Sequence, residues 1–259
     1  MLPIYFGDSQ KALFGIFHPA QSNRARKMSA VLCNPIGNEY VGAYRTMRVL
    51  AEQLAEAGVS VLRFDYYSTG DSAGFGDESS VHQWLADIAA AIDEVQGAAD
   101  ADRTSLIGVR LGATLAAIAA RSRGDIDRVV LWEPIINGQE HVAQHLARHR
   151  AWLRLGRCRA EDSTPNEAMG FPFTETLKGQ IENVDLAALP EHGMDRMLLL
   201  FHSTRRERRG RVLNRIARQV DKKVVDSPDF WLGRTAFDQP LVSKLNVETI
   251  VSWLTERPE

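Results

Sequence analysis

A chain of 259 residues that is 44% hydrophobic and 25% charged has the balance of an ordinary globular protein and enough apolar material for one large core. Its 31 basic and 33 acidic side chains leave a formal net charge of -2, which excludes the broad positive field that draws a protein to nucleic acid. Cys33 and Cys158 are far apart and lack metal-ligand spacing, so neither a disulfide framework nor a metal site is expected, and no cofactor is implied. The first residues, MLPIYFGDSQ, lack the basic start and apolar stretch of a secretory signal. No apolar run approaches the roughly 18 residues that cross a bilayer, so the expectation is a cytoplasmic protein without a membrane span.

In chain order, two short apolar runs at 3–6 and 12–18 flank the turn residues Gly7, Asp8, Ser9 and Gln10, and predict an antiparallel hairpin. Runs rich in Val, Leu and Ile at 29–33, 59–64, 104–107, 129–132, 197–201 and 223–225 predict strands covered on both faces. Between them, residues 44–57 place Met47, Leu50 and Leu54 at helical spacing, and 81–95 do the same with Trp84, Leu85, Ile88 and Ile92. Residues 113–120 are alanine-rich. Alternating strand and helix predict an α/β protein with a mostly parallel, doubly wound sheet. The interval 137–189 is too long for a crossover and carries helical patches around 141–155, which predicts a cap inserted in a core of 1–136 and 190–259. Arginines are dense at 148–159 and 205–218.

The strongest local signal is residues 105–114, SLIGVRLGAT, where a strand turns sharply into an alanine-rich helix between Gly108 and Gly112. This resembles the nucleophile elbow of the α/β-hydrolase superfamily, G-x-S-x-G, in which the glycines relieve crowding around a strained central residue. The central residue here is Arg110, and a guanidinium stays protonated and cannot attack a carbonyl. Residues 33–39, CNPIGNE, resemble the loop that carries the oxyanion site, and 65–72, DYYSTGDS, resemble the superfamily's D-x-x-G-x-G-x-S segment. With Leu131-Trp132-Glu133-Pro134 and Phe230-Trp231, the chain is similar to hydrolase-like proteins encoded with exosortase A systems and to serine-aminopeptidase-like relatives.

The resemblance implies an α/β-hydrolase fold with the rest of its triad also replaced. The segment expected to hold the acid reads Phe201-His202-Ser203-Thr204-Arg205-Arg206, and Asp229 stands where the histidine is expected. An arginine at a helix N-terminus and beneath a cap needs a carboxylate partner, and Glu133 and Asp229, both just past strand ends, are the candidates, ahead of Asp65 and Asp71. His82 and His202 read as structural histidines, Ser68 and Ser72 as turn residues, and Cys33 as a core residue that is also the only thiol placed to act as a nucleophile. The catalytic candidates are therefore Arg110, Glu133, Asp229 and Cys33, and the ligand-binding candidates Asn34, Ile36, Gly37, Val109, Leu111, His202 and Trp231.

Three functions are open to such a chain. The first is a pathway enzyme acting on an acyl, ester, thioester or carbonyl-containing small molecule, free or carrier-bound, with Arg110 as electrophile and a carboxylate as base. The second is a catalytically inactive relative that binds a ligand. The third is a protein that docks an acidic partner such as an acyl carrier protein through its arginines.

Overall fold

The computed structural model describes residues 1–21, 25–154, 166–191, 194–227, 231 and 242–256. The hairpin forms as β1 (Leu2–Phe6) and β2 (Leu13–His18), and β2 then pairs antiparallel with β4 (Val59–Phe64). The remaining strands, β3 (Met28–Cys33), β5 (Arg103–Val109), β6 (Ile126–Trp132), β9 (Met194–Phe201) and β10 (Ala217–Val224), are parallel to their neighbours. The eight-stranded sheet runs in the order β1-β2-β4-β3-β5-β6-β9-β10, and its parallel body is the doubly wound arrangement expected from the alternating pattern.

Both faces are covered. Val31 and Cys33 of β3 and Leu62 and Phe64 of β4 pack against α2 (Val81–Ala99) and α3 (Leu111–Arg123), through Trp84, Ile88, Ile92 and Leu115. The alternate residues, Ala30, Leu32 and Val61, face α1 (Gly37–Glu56) and a last helix that carries Val247, Ile250 and Trp253. Arg128 of β6 anchors that last helix: its Nη1 donates to the carbonyls of Trp253 and Leu254 at 2.8 and 3.2 Å, where the helix end leaves acceptors without intrahelical donors.

Between β6 and β9 the chain forms α4 (Gly138–Arg154), the two-stranded ribbon β7 (Glu167–Ala168) and β8 (Phe171–Pro172), and α5 (Glu175–Glu182). An isolated bridge between Asn137 and Asp185 pinches this excursion at its base. Its apolar residues Val142, Phe173, Leu177 and Ile181 belong to the same buried cluster as the α2 and α3 face, so it shares the core. Beyond β9 come α6 (Thr204–Gly210), β10 and the last helix, α7 (Lys244–Thr255).

Several elements differ from the sequence expectation: α5, α6 and the ribbon of β7 and β8 were not expected, and three further differences have a clear physical reason. Helix α1 begins at Gly37, not residue 44, because Gly37 takes a positive φ of 57° that starts the helix directly off the β3 loop, while the small polar residues of the first turn hide its periodicity. Strand β10 spans Ala217–Val224 and not 223–225; it is an edge strand whose polar, charged outer side conceals it. Helix α7 was not anticipated at all.

The elbow glycines are sterically required. A Cβ on Gly108 would lie 2.3 Å from the Cα of Ala113, and one on Gly112 would lie 2.2 Å from the carbonyl oxygen of Cys33. Gly112→Ala is therefore expected to destabilise the protein by about 2 kcal/mol or more in urea unfolding, because only backbone can yield. Gly97→Ala in α2, where a Cβ meets nothing within 4 Å, is expected to stabilise it by up to about 1 kcal/mol.

Candidate functional site

The site lies at the C-terminal edge of the sheet, where the turn from β5 to α3 holds Arg110 at φ 56° and ψ -122°. That conformation is costly for a residue with a Cβ and persists because the surroundings impose it. The Arg110 amide donates to the carbonyl of Trp132 at 3.0 Å, and helix α3 starts at the next residue. The side chain is 10% exposed and stands over the sheet edge.

Its carboxylate partner is Glu39. Arg110 Nε donates to Glu39 Oε1 and Oε2 at 3.4 and 3.3 Å, and Nη2 to Oε1 at 3.3 Å. Glu39 sits in the first turn of α1, where the helix dipole favours an anion, and its side chain is 2% exposed. Burial works to raise the Glu39 pKa, but the neighbouring Arg110, His141 and Arg148 outweigh it and hold the carboxyl at about 2. Arg148 of α4 donates to the same Oε1 from Nη1 at 3.3 Å, so one carboxylate joins α1, the elbow and α4.

The expected pairing of Arg110 with the Glu133 carboxylate does not form. Glu133 also has a positive φ, 49°, and offers Arg110 its backbone carbonyl, which accepts from Nη1 at 3.3 Å. Its carboxylate turns away: Oε1 accepts from the His202 amide at 2.7 Å and Oε2 pairs with Arg206 at 3.4 Å. Asp229, the other expected partner, lies outside the described residues.

The remaining candidates divide. His202 Nε2 accepts from Trp132 Nε1 at 2.9 Å, and its ring lies 4.7 Å from that of Trp231, over which the Arg110 guanidinium sits at 5.9 Å. His202 and Trp231 thus brace the floor behind Arg110. Val109 and Leu111 are fully buried in the two apolar clusters on opposite sides of the sheet, so their side chains are core and cannot line a ligand. Cys33 is likewise in the core, and burial pushes its thiol far above the usual range, which overturns its candidacy as a nucleophile. Asn34 donates to the carbonyl of Phe64 at 2.8 Å and, with Ile36 and Gly37, borders a cavity on the β4 side of the edge. Asp65 braces its own turn, accepting from Tyr40 Oη at 2.6 Å and from the Asp71 amide at 3.0 Å.

Two cavities result. One, of about 640 Å³, is bordered by Arg110, His141, Arg148, Arg206 and Arg209. The other, of about 340 Å³ and mostly apolar, lies beneath Phe171 and Phe173 of the excursion. Sequence reasoning missed Glu39 and a stripe of histidines, His141, His145 and His149, on the buried face of α4. The stripe was legible as H-x-x-x-H-x-x-x-H at helical spacing; Glu39 had no signal beyond its place at the end of the segment 33–39, two residues past Gly37.

The Nδ1 atoms of His141 and His145 are buried without a hydrogen-bond partner. Burial, aided by Arg110 and opposed by Glu39, holds the pKa of His141 down at about 3; burial and then Arg148 hold His145 at about 4. The unfolded chain takes up these protons near the ordinary 6.5, so the stability they contribute is complete above that pH and declines as pH falls. Glu39, also depressed, adds a further loss below its ordinary 4.5. In urea unfolding against pH, His141→Gln is expected to reduce the slope between about pH 6 and 4.5 by roughly 1.4 kcal/mol per pH unit. Arg110→Met is expected to cost roughly 3–5 kcal/mol at neutral pH by leaving Glu39 buried with only Arg148, and adding Glu39→Met should recover much of it.

Among known proteins, a family model described as serine aminopeptidase, S33, matches residues 27–168. No curated protein matches the chain. Among solved structures it is similar to an esterase from Pyrococcus furiosus, at 16% identity and a TM-score of 0.66 over 98% of this chain and 90% of that one. It is also similar to the esterase Est1E of Butyrivibrio proteoclasticus with ferulic acid bound, at 14% identity and 0.68 over 97% of both chains. A third is the α/β-hydrolase domain-containing protein 10 from mouse, at 16% identity and 0.60 over 98% of both. The fold is that of the α/β hydrolases, and with the family model spanning more than half of its length, the chain belongs to the serine aminopeptidase S33 family.

Proposed function

We propose that the chain is a member of this hydrolase family in which the serine site has become an anion-binding site, and that it binds an acyl or carbonyl-containing small molecule bearing a carboxylate or phosphate. The observation that carries the reading is the charge around Glu39. Two guanidiniums, Arg110 and Arg148, share this one carboxylate, while Arg206 pairs with Glu133 and Arg209 with Glu140. Among the described residues the cavity therefore retains one unbalanced positive charge, in partly dry surroundings where a charge-assisted hydrogen bond to an anion is strong. Residues 137–189 serve as the cap that supplies His141 and Arg148.

Serine hydrolysis is not expected. The elbow residue is Arg110, the segment 201–206 expected to hold the acid has no aspartate, and Asp229 occupies the place expected for the histidine. Glu39 is ionised and paired, and the Glu133 carboxylate is engaged by His202 and Arg206, so neither is poised as a base.

One observation favours the alternative of a pathway enzyme. The unpartnered Nδ1 of His141 belongs to the same cavity as Arg110, where an imidazole base and an electrophilic guanidinium would face one carbonyl. A pKa near 3 makes that imidazole a weak base, which places binding ahead of turnover. Docking of an acidic protein is supported less, because Arg209, Arg211, Arg215 and Arg218 each pair with a carboxylate of this chain.

Fluorophosphonate probes are expected to label no serine, and p-nitrophenyl esters to turn over negligibly. Arg110→Ser should remain inactive, and robust esterase activity in that variant would contradict the reading. In calorimetric titration, hexanoate should bind and hexanamide should not. Arg148→Gln should weaken hexanoate roughly tenfold while the fold is retained, since one charge-assisted hydrogen bond contributes roughly 1.5–3 kcal/mol. Equal binding of acid and amide would overturn it.

A further inference from the structure

The smaller cavity has a chemistry of its own. It lies between the loop of Asn34 to Gly37, the turn that begins at Asp65, and the excursion's Ala168, Phe171 and Phe173. Among the described residues no lysine or arginine borders it, and Arg110 is not part of its wall. Its one carboxylate, Asp65, is already engaged by Tyr40 and by the Asp71 amide.

Three polar side chains in this mostly apolar wall are more than nine-tenths buried and carry an atom without a hydrogen-bond partner: Tyr66 Oη, Ser68 Oγ and His145 Nδ1. Each leaves hydrogen-bonding capacity unused at a cost that native structures rarely tolerate without a reason. Ser68 is also held at φ 68°, a left-handed conformation uncommon for a side-chain-bearing residue and frequent where a ligand is met. At the mouth, Val41 is 40% exposed, and Phe75, next to the bordering Gly76, is 76% exposed. Large apolar side chains left in water beside an apolar cavity mark an entrance for an apolar ligand.

We infer that this cavity is a second ligand site, which takes a neutral, mainly apolar molecule carrying one hydroxyl group anchored between Ser68 and His145. A hydroxyl can donate to one of these groups and accept from the other, whichever ring nitrogen of His145 carries the proton. An anion is disfavoured there, because Asp65 lies in the wall and, among the described residues, no cation borders it. The site is independent of the anion-binding reading for Arg110, and either can fail without the other.

The test is calorimetric titration of the whole chain with 1-octanol and with octanoate. Saturable binding of 1-octanol is expected, with octanoate at least tenfold weaker in the presence of saturating hexanoate, which occupies the arginine cavity. Ser68→Ala should weaken 1-octanol roughly 3- to 10-fold, the worth of one hydrogen bond. Val41→Trp, at an exposed position where the fold tolerates bulk, should weaken it at least tenfold by narrowing the mouth. Saturating hexanoate should leave 1-octanol binding within twofold, since the arginine cavity is a separate space. Absence of saturable 1-octanol binding, octanoate binding as well as the alcohol, or indifference to both Ser68→Ala and Val41→Trp in folded protein would each overturn the inference. Displacement of 1-octanol by hexanoate would do the same, by placing the alcohol in the other cavity. Loss of hexanoate binding with 1-octanol binding intact would reject only the anion site.

Discussion

Helix α3 approaches the end of β3 so closely that Gly112 has no room for a side chain, and the residue that turns the chain between β5 and α3 must accept a positive φ. In this chain that residue is an arginine, and the backbone turn holds its side chain over the sheet edge, largely out of bulk water. The charge at this point, 10% exposed, has to be answered from within the protein. Glu39 answers it from the first turn of α1, and Arg148 of α4 shares the same oxygen. One carboxylate therefore ties together two helices and the elbow, and the placement of α4 over the edge follows from it.

This arrangement gives the edge two unlike halves. On the β6 side Glu39 is outnumbered by two guanidiniums, and the cavity there suits an anion. On the β4 side the wall is mostly apolar and, among the described residues, carries no cation, with unused hydrogen-bonding capacity at Ser68 and His145. The histidine stripe of α4 lies along the boundary, His141 bordering one cavity and His145 the other. Burial keeps both imidazoles neutral across the ordinary pH range, so neither cancels the chemical contrast between the halves.

Membership of a hydrolase family sets the frame and not the reaction, since chemistry resides in the site. The features of the frame that survive here are steric: the two elbow glycines, the strained central residue and the loop after β3. What stands at the centre is a permanent cation, which stabilises negative charge and cannot form a covalent acyl intermediate. Under the reading proposed above, such a site recognises an anionic acyl group and does not cleave it.

The amino-acid sequence alone determined the α/β class, the hairpin, most strands of the parallel sheet and the elbow, because periodicity and glycine spacing are local properties written in consecutive residues. It also determined that Arg110 needs a carboxylate, since that follows from charge and burial. Which carboxylate answers was a tertiary decision: Glu39 is 71 positions away in the chain and reaches Arg110 only because α1 starts early, at Gly37, while the backbone of Glu133 turns its own carboxylate toward His202 and Arg206. Strand β10 and helix α7 escaped for a related reason, one being a polar edge and the other being held by Arg128 from a strand far away in sequence. Partners, cavities and the burial that shifts Glu39 and His141 depend on contacts between distant segments, which local pattern does not encode and only the packed chain decides.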